Sequence, residues 1–164
     1  PLRLVGSEMC ISDSAGVGHL IIADDDIVEL TNLQRQVAHS QSMIGEPKVV
    51  SAQQALLGLN PDLKITALQK RLEGTILSEA VSQAELVVDA CDNFVTRFAI
   101  NSACIEHGRP LVSGAAIRME GQVAVFDSRD PDSPCYQCLY SRGDDEGASC
   151  SETVSYTHLR AHET

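Results

Sequence analysis

Five short groups of residues in this chain carry chemistry by their type and spacing. The first is Asp24-Asp25-Asp26, which follows the apolar run His19-Leu20-Ile21-Ile22-Ala23. A carboxylate at the end of a buried strand can accept hydrogen bonds from ribose hydroxyls. The same triplet also serves as a solvated turn. The second is Thr31-Asn32-Leu33-Gln34-Arg35-Gln36. Its Arg35 offers a planar fork of donors for phosphate oxygens, which Asn32 and Gln34 can help orient. The alternative is a polar surface turn. The third is Gly45-Glu46-Pro47-Lys48. A lysine in the first turn of a helix opposes the helix dipole. A bound anion, shared between the ammonium and the free amides, would remove that cost; the plainer alternative is an exposed lysine.

The fourth group is Asp92-Asn93, after Leu86-Val87-Val88-Asp89-Ala90-Cys91. A carboxylate beside a triphosphate can hold Mg²⁺, which prefers oxygen ligands. Asn93 also suits the cap of a following helix. The fifth group is Cys135-Tyr136-Gln137-Cys138. Structural zinc takes four ligands, commonly from two such pairs, so this pair reads as half a site. It sits in a polar stretch, which disfavours a redox pair at a strand-to-helix turn. Cys150 is a third thiol with no evident partner, and Cys91 and Cys104 lie on apolar segments as buried, inert thiols. His39 and His107 read as structural.

These groups need a scaffold. The apolar runs at 19–24, 63–68, 86–89, 111–113 and 121–127 read as strands. Helices are expected from Pro47 to about Leu59, over 74–84, and from about Phe94 to His107. Residues 31–46 read as an ordered loop with a helical turn, and the stretch from Ser128 as a polar loop. Strands alternating with helices predict an α/β fold, a Rossmann-like, mostly parallel sheet flanked by helices. Ligands of such sheets bind beyond the C-terminal strand ends, where Asp24, Asp26 and Asp92 stand.

Composition narrows the function. The 164 residues carry a formal charge of −11, which argues against a nucleic-acid surface. No apolar run is long enough to span a membrane and no signal peptide opens the chain, so a cytoplasmic location is expected. Both ends look foreign. Pairing Arg3–Asp13 with Thr164–Val154 in opposite directions, ten of the eleven pairs can be written in reverse-complementary codons. Both stretches also look like translated adapter ends. Residues 1–14 and 154–164 are therefore set aside as a non-native head and tail, leaving 15–153 as one partial domain, truncated at both ends.

The segments AGVGHLIIADDD (15–26), LTNLQRQ (30–36), GEPKV (45–49), DACDN (89–93), PLVSGAAIRMEGQVAVF (110–126) and PCYQC (134–138) resemble, in this order, the ubiquitin-activating-enzyme-like superfamily. The resemblance is to its bacterial ThiF/MoeB/HesA branch. SGAAIRMEGQ favours the molybdopterin-type member over the thiazole-pathway member.

The resemblance implies an adenylyltransferase that uses ATP on the C-terminal glycine carboxylate of a ubiquitin-like sulfur-carrier protein. It gives Asp24 the ribose, gives Asn32, Gln34, Arg35 and Lys48 the phosphates, and gives Asp92, with Asn93 beside it, the Mg²⁺. Cys135 and Cys138 become half of a Cys₄ zinc site. The full-length parent is expected to be a homodimer. The family's glycine-rich loop, N-terminal arginine, second Cys-x-x-Cys and carrier-docking helices are not found in this stretch, so little or no adenylation activity is expected of it alone. A nicotinamide-dependent Rossmann oxidoreductase and a non-catalytic carrier-binding module are the competing readings.

Overall fold

A computed structural model of the chain describes residues 2–4, 17–117 and 120–140. Cys150, the acidic run 144–146, most of the head and the whole tail lie outside the described residues. Among the described residues, six strands form one sheet: β1 (Leu2–Leu4), β2 (His19–Ala23), β3 (Lys64–Leu68), β4 (Leu86–Asp89), β5 (Leu111–Ile117) and β6 (Glu120–Phe126). Their order is β3-β2-β1-β4-β5-β6. All neighbours run parallel except β5 and β6. The expected mostly parallel sheet is present. The chain steps outward from β1 to β3 and returns to β4 on the other side of β1. The strand order reverses there, and such a reversal opens a crevice beyond the strand ends.

The strand β1 lies inside the stretch set aside as a foreign head. It pairs with both β2 and β4, through Leu2↔Leu20 and Leu2↔Leu86. The sheet order needs a strand in this slot, and an extended Leu-Arg-Leu segment supplies it.

Helices cover both faces. They are α1 (Lys48–Leu59), α2 (Gly74–Ser82), α3 (Phe94–Glu106) and a single turn, α4 (Tyr136–Leu139). On one face Leu20, Ile22 and Val88 pack with Val49, Ala52 and Leu56 of α1. On the other, Ala23, Val87 and Leu111 pack with Leu77 and Val81 of α2 and Phe98 and Ile100 of α3. Because both faces are covered, β2 shows no polar alternation: Leu20, Ile21 and Ile22 are all buried. Each such side chain contributes about 1.5–3 kcal/mol on burial.

Two elements differ from expectation. The strand expected over 111–113 continues to Ile117 and pairs antiparallel with β6, out to Ile117↔Glu120. Its small residues, Gly114, Ala115 and Ala116, carry no apolar period, so the extension leaves no pattern in the sequence. The polar loop after Ser128 contains α4, whose Tyr136 is buried edge-on against Phe98 and Phe126.

Candidate functional site

The segment after β2 is held by a short sequence of turns. The Asp24 carboxylate accepts the Asp26 amide at 2.9 Å, an Asx turn at the strand end. Ile27 bridges to Pro47, and the Lys48 amide donates to the Asp26 carbonyl at 2.9 Å. Gly45 makes the return possible: its φ of 89° lies in the left-handed region, and its amide donates to the Val28 carbonyl. The result sets Asp24–Asp26 against the first turn of α1. Two 3-10 turns, Leu30–Asn32 and Gln41–Met43, occupy the expected ordered loop. Arg35 folds back there, donating to the Asn32 side chain at 2.7 Å and to the Thr31 carbonyl at 3.2 Å.

Lys48 has a partner that the sequence did not announce. Its Nζ lies 2.6 Å from Asp26 Oδ2, and the lysine side chain is 11% exposed against 65% for the aspartate. Asp26 therefore already supplies the negative charge that a first-turn lysine requires. The dipole argument by itself no longer calls for an external anion.

On the far side of the crevice, Asn93 caps α3 by accepting the Thr96 amide at 2.8 Å. Asp92, exposed, accepts from the Asn93 side chain. The turn carrying them is fastened from below by a buried cluster. Asp89 accepts the Cys91 amide at 2.9 Å and the Ser113 hydroxyl at 3.2 Å. Arg97 donates to Ser113 Oγ, to the Gly114 carbonyl and to the Cys91 carbonyl, and its guanidinium lies 3.7 Å from Asp89. Burial pushes the Cys91 thiol far up, consistent with an inert sulfur.

A cleft of about 620 Å³ opens between these two sides. Asp24, Asp26, Asn32, Arg35, Lys48, Asp92 and Asn93 line it, with Val87, Val88 and Leu72 at its apolar wall. Of the residues expected to share a site, Gln34 alone stands outside this lining; it is exposed, and Gln36 faces the cleft in its place. Lys70 and Arg71, just past the end of β3, line it as well. They escaped the sequence reading, although two basic residues directly after an alternating strand are the kind of signal that strand-end reasoning can use. The buried Asp89–Ser113–Arg97 cluster was also missed. Burial holds the Asp24 carboxyl above its ordinary range, despite the Asp26 amide and Lys48 nearby.

The cysteine pair stands apart. Cys135 and Cys138 place their sulfurs 3.5 Å apart, and neither lines the cleft. That spacing is close to the separation of about 3.8 Å that two thiolates adopt on a tetrahedral zinc with Zn–S bonds of 2.3 Å. Asn101, buried in α3, accepts the Tyr136 amide at 3.0 Å and so pins the pair to the domain. Burial raises the Cys135 thiol, but its contacts with Cys138 and Asn101 outweigh this and bring it below its usual value. His39 and His107 bond to Ser51 and Ser78, as structural histidines do.

Comparison with known proteins gives this arrangement a context. The chain is 45% identical over 139 residues to the molybdopterin-synthase adenylyltransferase of Escherichia coli, covering 85% of this chain and 55% of that protein. It is 43% identical over 136 residues to the sulfur carrier protein ThiS adenylyltransferase of the same organism, covering 83% and 54%. It is 42% identical to the SAMP-activating enzyme E1 of Haloferax volcanii, covering 85% and 52%. The chain thus spans about half the length of the curated relatives it matches. Among solved structures, E. coli MccB with ATP superposes with a TM-score of 0.74 at 21% identity, over 88% of this chain and 45% of that one, a likeness of fold. Residues 5–158 match the ThiF family, and the chain belongs to it.

Proposed function

We propose that this chain forms the nucleotide-binding part of an adenylyltransferase that activates the C-terminal glycine carboxylate of a ubiquitin-like sulfur-carrier protein. One observation carries the proposal: cationic and carboxylate groups from five separate segments line a single cleft at the point where the strand order reverses. ATP needs this combination, with cations for phosphate and carboxylates for ribose and metal.

Asp24 accepts the ribose hydroxyls. Arg35, held by Asn32, donates its fork to the phosphates, and Lys48 exchanges Asp26 for a phosphate oxygen. Gln34 reaches the phosphates only through a rotation of its segment, so its share is the smallest. Asp92, with Asn93 beside it, holds Mg²⁺, which supplies positive charge to the triphosphate. The carrier's carboxylate oxygen attacks the α-phosphorus, and the bond from that phosphorus to the bridging oxygen breaks. Pyrophosphate leaves and an acyl-adenylate remains. No protein nucleophile takes part, so catalysis is positioning together with charge stabilisation by Arg35 and Lys48.

Cys135 and Cys138 hold half of a structural zinc site, and the parent is a cytoplasmic homodimer. No helix among the described residues is long and apolar enough to cross a membrane. Within the family, SGAAIRMEGQ points to a molybdopterin-synthase type of carrier, and so to molybdenum cofactor biosynthesis; identities of 45% and 43% to the molybdopterin and thiazole types do not separate them. The nicotinamide alternative loses its ground with membership of the ThiF family.

ATP–pyrophosphate exchange tests the reading, measured with the full-length parent and each type of carrier in turn, because this chain spans about half the length of its relatives and little exchange is expected of it alone. Exchange that requires a carrier with an intact terminal glycine supports it. Exchange with the thiazole-type carrier alone moves the substrate assignment. Stabilisation by NAD and not by ATP with Mg²⁺ in a thermal-shift assay overturns it.

A further inference from the structure

We propose that Arg97 is the positioning residue of the nucleotide site: it fixes the turn that presents Asp92, without itself reaching the ligand. The proposal rests on the adenylyltransferase reading and adds a residue to it.

Arg97 is 6% exposed and does not line the cleft. It stands one helical turn after the cap residue Asn93, so α3 directs it inward beneath the turn 90–93. Its two terminal nitrogens reach three acceptors on two different segments. These are the Cys91 carbonyl in the turn after β4, and the Ser113 hydroxyl and Gly114 carbonyl in β5. Asp89 completes the enclosure, accepting from the Cys91 amide on one oxygen and from Ser113 on the other. Both the amide and the carbonyl of Cys91 are thereby held by buried groups.

Asp92, the next residue, is exposed, and its side chain accepts from neighbouring Asn93 at 3.4 Å. Its own contacts are too slight to fix it, so its position comes from the backbone on either side. Asn93 fixes one side through the α3 cap, and Arg97 fixes the other. Among the described residues, Arg97 is also the buried arginine that no surface or ligand role accounts for. Burying a guanidinium is costly unless hydrogen bonds and a nearby carboxylate offset it; here three hydrogen bonds and Asp89, 3.7 Å away, do so. Lysine cannot replace this arrangement, because a single ammonium cannot span acceptors in the turn after β4 and within β5 at once.

The test uses Arg97→Lys, which keeps the charge beside Asp89, and Ser113→Ala, which removes one contact and threatens the fold least. Amide hydrogen exchange is read first, because it needs no nucleotide. The expected result is faster exchange at Cys91 by about tenfold or more in Arg97→Lys, less in Ser113→Ala, with amides in the middle of α3 unchanged. ATP affinity is then measured with Mg²⁺ and with EDTA. Both variants are expected to keep wild-type affinity in EDTA and to lose the enhancement by Mg²⁺, as Asp92→Asn does, and Arg97→Lys combined with Asp92→Asn loses no more than either alone. Unchanged exchange in the turn overturns the inference. So does equal weakening of ATP with and without Mg²⁺, or a loosened turn with normal Mg²⁺ dependence. Failure of the wild-type protein to bind ATP is a different result: it sinks the adenylyltransferase reading, while the exchange data still decide whether Arg97 holds the turn.

Discussion

Replacing Lys48 by methionine separates its role in the fold from its role toward a ligand. Methionine preserves most of the buried aliphatic stem and removes only the ammonium. The lost ion pair has one well-exposed member, Asp26, at 65%. Pairs of that kind contribute about 0–1 kcal/mol, so folding stability should fall by no more than that. Toward ATP the balance differs. A charge-assisted bond to a phosphate oxygen contributes about 1.5–3 kcal/mol, and each 1.4 kcal/mol is a factor of ten. The dissociation constant for ATP with Mg²⁺ should therefore rise by roughly tenfold to 150-fold, measured by isothermal titration. Asp26→Asn is the matching arm. It frees the ammonium from its internal partner, so ATP affinity should stay level or improve. Two results would overturn this role for Lys48: Lys48→Met binding ATP as the unsubstituted protein does, or Asp26→Asn weakening ATP as severely as Lys48→Met. The second would mean that the ion pair itself, and not the ammonium it holds ready, is what the site needs.

Asp24 gives a prediction in which the two signs oppose. Its carboxyl is raised in the folded protein by burial, so the folded state takes up a proton at a higher pH than the unfolded chain. Its ionised form therefore costs stability above the folded pKa, and Asp24→Asn should unfold at a higher temperature than the parent at pH 7. The same substitution should weaken ATP and abolish the loss of affinity that the parent shows as pH falls through the raised Asp24 pKa; a parent whose affinity is flat into the acid range would contradict this. Asn101→Ala leaves the buried Tyr136 amide without its acceptor, a cost of about 1–3 kcal/mol in chemical denaturation. It should also slow alkylation of Cys135 at neutral pH, since Asn101 helps hold that thiol below its ordinary pKa; alkylation at an unchanged or higher rate would show that Asn101 has no such influence. Leu56→Ala, at a site with 0% exposure, should cost about 2–5 kcal/mol of stability while leaving ATP affinity intact in the folded fraction.

The parts of the fold legible in the sequence were those with a strong local pattern. The buried runs Leu20–Ala23 and Leu86–Asp89 are strands because both faces are covered, and Pro47 and Asn93 marked where helices begin. The continuation of β5 through Gly114–Ile117 was not legible, because small residues fill an antiparallel pair without leaving a period. The cleft was legible where chemistry sits next to a strand end, as at Asp24 and Asp92. The support beneath it was not. Asp89 looked like one more strand residue, and Arg97 like one more helical charge; only tertiary contact brings them within reach of Ser113. The ion pair between Asp26 and Lys48 spans 22 positions and leaves no local trace, so a lysine that looked as though it needed an anion already had one.

Asp24, Arg35, Lys48 and Asp92 are expected to serve one nucleotide. A crystal structure of the protein with Mg²⁺ and a non-hydrolysable ATP analogue tests this most directly. The expected result is ribose on Asp24, phosphates between Arg35 and Lys48, and the metal on Asp92. Analogue bound elsewhere on the surface, or seated in the cleft with its phosphates turned away from Arg35 and Lys48, would contradict it.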